Sequence, residues 1–439
     1  MSGIRGIVGE ALTPGVAADA GSALATYLGR GPIVVGRDSR VSGEMIKAAV
    51  VSGVLACGCD VIDIGVCGTP TTALMVAARQ AAGGIMLTAS HNPSPWNGIK
   101  FIGPDAVAPP RPVAEKILDV FHRRKFRFAP ADDVGHVSVD GSADERHVEA
   151  VLKTINISAI RDRRFRVVLD SVNGAGGPAG RRLLDALGCQ VVHINGEPTG
   201  RFAHPPEPIA ENLTDLCTHV RSTGAEAAFA QDPDADRLAI ADETGRYIGE
   251  EYTLVLAARH VLASRPGPVC ANLSTSRMID DVAGRFDGCP VYRSAVGEAN
   301  VAEMMKQRHC VIGGEGNGGV IDPRIVYVRD SLVSMALVLQ LMTDEAEPLS
   351  QIVDALPRYT LVKRKFDCRP ERVASVLSAV SKAFSREKIS DVDGIRIDWP
   401  DGWVHIRGSN TEPIMRIIGE AGDEQTANDL IARIQAVID

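Results

Sequence analysis

Aromatic side chains are scarce: Phe, Tyr and Trp together make up 4% of the 439 residues. Cores must therefore be filled by Val, Ile, Leu and Ala, within an apolar share of 45%. No apolar run approaches the ~20 residues of a membrane-spanning helix. Met1-Ser-Gly-Ile-Arg5 has none of the apolar stretch of a signal peptide. Both absences point to a cytoplasmic protein with no membrane contact. Positive charge is not in excess either. The net charge of −8 argues against a nucleic-acid partner while leaving room for a local basic pocket for a small anion. The nine cysteines include no Cys-x-x-Cys pair, with Cys57 and Cys59 closest; an odd, scattered set suits reduced thiols. There is no Gly-x-Ser-x-Gly elbow, so a hydrolase-type serine is unsupported.

What the chain does have is Thr88-Ala-Ser-His-Asn-Pro93. The apolar Gly84–Leu87 before it reads as the end of a buried strand, Ser94–Gly98 after it as a breaker cluster, and Ile99–Phe101 as a second short strand. A hydroxyl, an imidazole and an amide thus share one tight loop, with Lys100 on the next strand. An Asx/Pro turn with polar decoration is the bland alternative. Around this loop, residues 1–150 alternate strand and helix. Ile33–Val35 and Val61–Ile64 are expected strands; Ser42 is an expected N-cap for a helix to about Cys57. A second unit, residues 151–251, opens at Arg166–Asp170 and contains strands at Val191–Ile194, Ala227–Ala230 and Leu238–Ala241. A third, residues 252–356, has strands at Val269–Asn272 and Cys310–Ile312, the Gly-rich loop Gly313–Gly319 and an apolar helix from Ser331. From 357 to 439 the pattern changes to half-buried antiparallel strands at Thr360–Asp367, Ile395–Asp398, Trp403–Ile406 and Ile414–Ile418, then a closing helix. The fold class expected is three similar α/β domains and a smaller C-terminal α+β domain. Each large unit places a polar or Gly-rich loop after an apolar strand, where open α/β sheets bind ligands.

Asp232, Asp234 and Asp236 alternate, so in an extended segment they share one side. Three converging carboxylates repel unless a cation lies between them, and hard oxygen ligands suit Mg²⁺ or Ca²⁺. An EF-hand is excluded: Arg237 stands where that loop needs glycine, and strands flank the segment. Asn173–Ala179 matches Gly-x-Gly-x-x-Ala after a strand, with Glu197 after the next. That makes an NAD-dependent oxidoreductase the cross-class rival, although it leaves the triple aspartate, the serine loop and the last domain unused. A structural turn into a helix is the simpler reading. Arg407-Gly-Ser409-Asn410-Thr411, with Arg416 beyond, combines guanidinium forks with hydroxyl and amide donors, as a phosphate clamp requires. Gly314–Gly319 offers bare backbone plus Glu315 and Asn317 to a polyol.

Taken together, Gly3-Ile-Arg5-Gly6, Thr88–Pro93 with Asn97–Lys100, Asp232–Arg237, Gly314–Gly319 and Arg407–Arg416 resemble the α-D-phosphohexomutase family along essentially the whole chain. The resemblance implies four domains around one central cleft and a phosphoserine at Ser90. It implies Mg²⁺ held by Asp232, Asp234, Asp236 and a Ser90 phosphate oxygen. Arg5 and Arg237 would stabilise charge, His91 orient the phosphoserine and Lys100 act as general acid/base, given a neighbouring cation and burial that lower its pKa. Arg407, Ser409, Asn410, Thr411 and Arg416 would hold the non-reacting phosphate, and Glu315 and Asn317 the sugar. The implied partners are a sugar monophosphate and a sugar bisphosphate intermediate, bound by a monomer or homodimer. Two departures stand out. The Phe-Gly-Thr stretch that often precedes Gly-Ile-Arg-Gly is absent, and Asn317-Gly-Gly319 replaces a frequent Ser-Gly-His. Glu-x-Asn-Gly-Gly occurs in phosphoglucosamine-mutase-like members, which favours glucosamine phosphate as substrate; glucose or mannose phosphate is the alternative. The missing histidine also removes a positive-capable group that would disfavour an ammonium.

Overall fold

The computed structural model describes residues 3–408 and 413–438. Four sheets follow one another along the chain. The first places strands Ile4–Ile7, Trp96–Ile102, Gly83–Leu87, Ile33–Arg37, Val61–Val66 and Val137–Val139 side by side. Its first three strands pair antiparallel and the rest parallel. The second orders Leu238–Asp242, Ala227–Gln231, Arg166–Asp170 and Gln190–Ile194, antiparallel in its first pair alone. The third orders Val291–Ser294, Val269–Asn272, Ile312–Glu315 and Gly319–Ile321, antiparallel in its last pair alone. The C-terminal sheet is antiparallel throughout: Thr360–Asp367, Ile414–Ala421, Gly402–Gly408, Ile395–Asp398 and Lys388–Ser390. The expected fold class is therefore observed.

One regularity was not visible in the sequence. Each of the four candidate loops connects an antiparallel pair: residues 88–95, 232–237, 316–318 and the segment after Gly408. A hairpin returns the chain at once, so its tip projects beyond the sheet and brings short polar side chains to a defined point.

Local sequence explains the elements that carry these tips. Helix Pro14–Leu28 starts with Pro14 in its first turn and Thr13 Oγ1 accepting from the Val16 amide. Helix Ser331–Glu345 starts at Asp330, whose carboxylate accepts from the Leu332 and Val333 amides. It is buried all round over Ser331–Met342, as an apolar helix without a polar face must be. It belongs to one continuous core running from Val148 to Leu356, which fuses the second and third domains. The first and last domains have cores of their own.

Several expectations need correction. Trp96, Asn97 and Gly98 are strand, not breaker, because they pair with Ile7, Gly6 and Arg5 of the edge strand. Ser42 precedes helix Gly43–Ala56 but makes no capping bond; its hydroxyl accepts from Asn97 Nδ2 at 3.0 Å instead. The strand expected at Cys310 starts at Ile312 and runs into the Gly-rich segment as far as Glu315. Among the described residues, no helix is long and apolar enough to cross a membrane.

Candidate active site

Ser90 has a left-handed backbone, φ +50°, which costs a residue with a Cβ about 1 kcal/mol or more. Its surroundings hold it there. Thr88 Oγ1 accepts from the Ser90 amide at 2.8 Å and donates to Asp38 Oδ2 at 2.6 Å. Asp38 in turn pairs with Arg40 at 3.0 Å, both side chains buried. The Arg40 guanidinium then donates to the carbonyls of Ser90, Asn92, Pro93 and Trp96, at 2.5, 2.6, 2.9 and 2.9 Å. Thus a single buried arginine staples the whole serine loop. No motif of the sequence singled out Asp38 or Arg40. The available signal was an Asp-x-Arg directly after the strand Ile33–Arg37.

The Ser90 hydroxyl is buried and donates to Asp232 Oδ2 at 2.8 Å, across the boundary between the first two domains. His91 Nδ1 lies 3.3 Å from Ser90 Oγ. Burial, with Arg237 and Arg5 adding to it, pushes the His91 imidazole down to about 3, so it is neutral. Arg5 donates to Asn92 Oδ1 at 3.0 Å.

The aspartates converge, but by a route different from the expected one. Residues 232–237 form a turn with Ala235 at φ +56° instead of an extended segment. One ligand oxygen from each of Asp232, Asp234 and Asp236 lies within 4.8 Å of the others, and all three residues are buried. Asp232 Oδ1 accepts from the amides of Asp236 and Arg237 at 3.1 and 3.2 Å. Asp234 Oδ2 accepts from Lys100 Nζ at 2.6 Å and Thr69 Oγ1 at 2.5 Å. Asp236 Oδ2 faces Arg329. Asp234 Oδ1 and Asp236 Oδ1 are buried without a hydrogen-bond partner. Ionised carboxylate oxygens left in this state are costly, and a hard divalent cation is the group that satisfies them together. The residues present therefore fit Mg²⁺. Burial and the charges of Asp234 and Asp236 raise the Asp232 carboxyl well above its ordinary value. Burial also acts on Asp234, but the Lys100 ammonium overrides it and holds that carboxyl low.

Lys100 itself departs from expectation. Burial does work to lower its pKa, yet Asp234 and Asp236 outweigh burial and raise it. As the structure stands, Lys100 carries its proton.

In the third domain Glu315 is buried and already engaged. Its Oε1 accepts from Asn272 Nδ2 at 2.8 Å and the Gly297 amide at 2.9 Å; its Oε2 pairs with Arg329 at 2.6 Å. Asn317 Oδ1 is buried without a partner. Arg329, unmarked in the sequence reading, also pairs with Glu298 at 3.1 Å. Arg329, ten residues further on, thus fills the space beside Gly319 with a positive side chain. A charged Arg-Asp pair at the mouth of an apolar helix was its sequence signal.

In the last domain Arg407 and Arg416 sit directly opposite one another on neighbouring strands. Like charges so placed oppose each other; burial and then Arg416 lower the Arg407 pKa, with Asp393 and Glu315 opposing. Two guanidinium groups facing across a ladder suit a dianion. Ser409, Asn410 and Thr411 lie outside the described residues. The domain is seated on the third one through His405 Nδ1 and Ser274 Oγ, 2.8 Å apart, and through Asp393 Oδ2, which accepts from the Val296 amide at 3.0 Å.

The dinucleotide-like glycines do something else. A Cβ at Gly174 would lie 2.8 Å from Pro233, and one at Gly176 2.6–2.7 Å from Gln231 and Ala235. They let the aspartate loop pack closely, so the space a pyrophosphate needs is filled by protein.

Three mixed α/β domains and an antiparallel fourth, with the serine loop of the first meeting the carboxylate triad of the second, define the phosphohexomutase class. Sequence comparison gives the family. The four models for phosphoglucomutase/phosphomannomutase α/β/α domains I, II and III and the C-terminal domain match residues 1–128, 145–245, 249–359 and 361–437. The chain belongs to the phosphoglucomutase/phosphomannomutase family and is an isomerase of the phosphohexomutase kind. It is 39% identical over 435 residues to a probable phosphoglucosamine mutase of Methanopyrus kandleri, covering 98% of this chain and 95% of that protein. It is 38% identical over 437 residues to a phosphoglucomutase/phosphomannomutase of Thermococcus kodakarensis, covering 98% and 95%. The crystal structure of a phosphoglucomutase/phosphomannomutase family protein from Burkholderia thailandensis superimposes with a TM-score of 0.87 at 26% identity, covering 99% of this chain and 96% of that one.

Proposed function

We propose that the enzyme interconverts glucosamine 6-phosphate and glucosamine 1-phosphate, with Ser90 carrying the phosphoryl group and a glucosamine bisphosphate as intermediate. The observation that carries the mechanism is the buried Ser90 Oγ, 2.8 Å from Asp232 inside a carboxylate triad with two unpartnered oxygens. In the first half-reaction the P–Oγ bond of phosphorylated Ser90 breaks, and a bond forms from phosphorus to the free sugar hydroxyl. The hydroxyl proton leaves and one returns to Oγ. The bisphosphate then reorients, its other P–O bond breaks, and P–Oγ forms again. Phosphoryl transfer asks for positioning and charge stabilisation more than covalent chemistry.

Asp232, Asp234, Asp236 and a phosphoserine oxygen would hold Mg²⁺, which supplies charge neutralisation at the phosphate when bound. Lys100, on the strand that leaves the serine loop, is the general acid/base: protonated as it stands, it can give its proton to Oγ, and only then take up the proton of the sugar hydroxyl. The neutral His91 orients the phosphoserine; Arg5 and Arg237 take up developing charge. Arg407 and Arg416, with Ser409, Asn410 and Thr411, clamp the phosphate that is not reacting, and Glu315 and Asn317 meet the sugar. The four residue ranges 1–150, 151–251, 252–356 and 357–439 act as serine, cation, sugar and phosphate domains.

Two facts support the amino sugar. Relatives of comparable identity carry the name probable phosphoglucosamine mutase. In addition, Asp236, Glu298 and Glu315 share one guanidinium, Arg329. Once a cation takes Asp236, two carboxylates remain against that one arginine, and the surplus negative charge favours an ammonium. One observation favours a glucose or mannose phosphate instead: Glu315 is hydrogen-bonded through both oxygens, which leaves less of it for an ammonium. The test compares kcat/KM for glucosamine 6-phosphate with those for glucose and mannose phosphates, bisphosphate activator present. Glucosamine phosphate is expected to lead; a hexose phosphate ahead by tenfold or more reverses the substrate choice and leaves the phosphoserine chemistry in place.

A further inference from the structure

Arg329 lies where the second and third domains meet, and no motif of the sequence reading claims it. Its guanidinium reaches three carboxylates at once: Asp236 of the cation loop, Glu315 of the sugar loop, and Glu298 at the start of helix Glu298–Arg308. Its amide also donates to Glu298 Oε2 at 3.1 Å. The side chain threads past Gly319: a Cβ built there would lie 2.2 Å from Arg329 Cδ and 2.8 Å from Cγ. Gly319 does not have a left-handed φ, so glycine is needed there for space and not for backbone freedom. The two hairpins it joins are already in register, the Leu238 amide donating to the Gly318 carbonyl at 2.9 Å.

We infer that Arg329 is a positioning residue that couples the cation loop to the sugar loop, and that Gly319 exists to let it pass. The inference rests on the cation and sugar-loop assignments proposed above. One charge shared among these carboxylates has consequences of opposite sign. On the cation side Arg329 competes for Asp236, so it weakens divalent-cation binding in the empty enzyme. On the sugar side it fixes the Glu315 carboxylate in one orientation, so it tightens substrate binding. A merely structural arginine would weaken both functions when removed.

The experiment uses the full chain. Mn²⁺ binding is measured by electron paramagnetic resonance without substrate, and KM and kcat for the preferred sugar phosphate are measured in parallel. Arg329→Ala is expected to bind Mn²⁺ about threefold or more tightly and to raise KM about tenfold or more with a smaller fall in kcat. Gly319→Ala, which retains every charge but blocks the path of the arm, is expected to raise KM similarly, and the double variant to be no worse than Arg329→Ala alone. Arg329→Lys, reaching fewer carboxylates, should fall between. Mn²⁺ binding by Arg329→Ala that is unchanged or weaker, or additive KM effects in the double variant, overturns the inference. Should Arg329→Ala fail to fold, Gly319→Ala decides: an unchanged KM overturns it. Absence of Mn²⁺ binding by the wild type refutes the cation assignment itself, a result distinct from either.

Discussion

Arg40→Met removes every donor from the arm that staples the serine loop while keeping an unbranched apolar stem as far as the position of Nε. The carbonyls of Ser90, Asn92, Pro93 and Trp96 lose their shared partner, and Asp38 stays buried without its cation. Breaking a buried ion pair by removing one member costs about 3–5 kcal/mol. Water entering the opened loop recovers some of the carbonyl bonds, so about 3 kcal/mol at pH 8 is the working figure. The pH dependence has a definite sign. Burial raises the Asp38 carboxyl from 3.8 to about 6, against the opposing pull of Arg40. Between those values the folded state holds the proton more tightly than the unfolded one, so stability falls as pH rises through that window. Losing Arg40 moves the folded value higher and extends the fall. At pH 5 the wild-type carboxyl is mostly protonated and gains little from Arg40, so the variant's deficit is smaller there than at pH 8. In a four-domain chain a single global unfolding energy is not defined. The assay is therefore hydrogen exchange of the peptide spanning residues 88–98. About 3 kcal/mol corresponds to roughly a hundredfold faster exchange at pH 8, with a smaller ratio at pH 5 after correction for intrinsic rates. Turnover should fall about tenfold or more, because the loop carries the attacking and leaving oxygen. Exchange within threefold of wild type at pH 8, or a larger penalty at pH 5, refutes the stapling argument.

Ser90→Ala is expected to lose several orders of magnitude of mutase activity with circular dichroism unchanged, on the scale of covalent catalysis; turnover within tenfold of wild type sinks the phosphoserine assignment. Asp234→Asn should weaken the Mg²⁺ dependence and the turnover together, because that carboxylate also pairs with Lys100 and Thr69. Activity of the wild type that survives complete chelation excludes the cation site. Arg416→Ala should raise KM more than it lowers kcat, as a group holding a non-reacting phosphate does; equal falls in kcat and kcat/KM would move Arg416 to the reacting centre.

The sequence by itself determined the elements and the chemistry-bearing loops, since both are written locally. Strands such as Arg166–Asp170 are short apolar runs bounded by turn residues. The serine loop, the triple aspartate and the Arg407–Arg416 segment each hold their functional groups within a few positions. What tertiary structure decided is everything that depends on charges from distant positions sharing one buried volume. Asp38 and Arg40 meet the serine loop across fifty residues, Ser90 meets Asp232 across 142, and Arg329 reaches Asp236 across 93. None of these pairings leaves a periodic trace, because no helix or strand repeat connects their members. Protonation followed the same rule. Lys100 has the burial that was expected to lower its pKa, but Asp234 and Asp236 reverse the sign, and their position beside it is a fact of domain packing. Gly319 read as a lost histidine in the sequence and as a passage for Arg329 in the fold: an absent side chain acquires a meaning once the neighbour that fills its space is known.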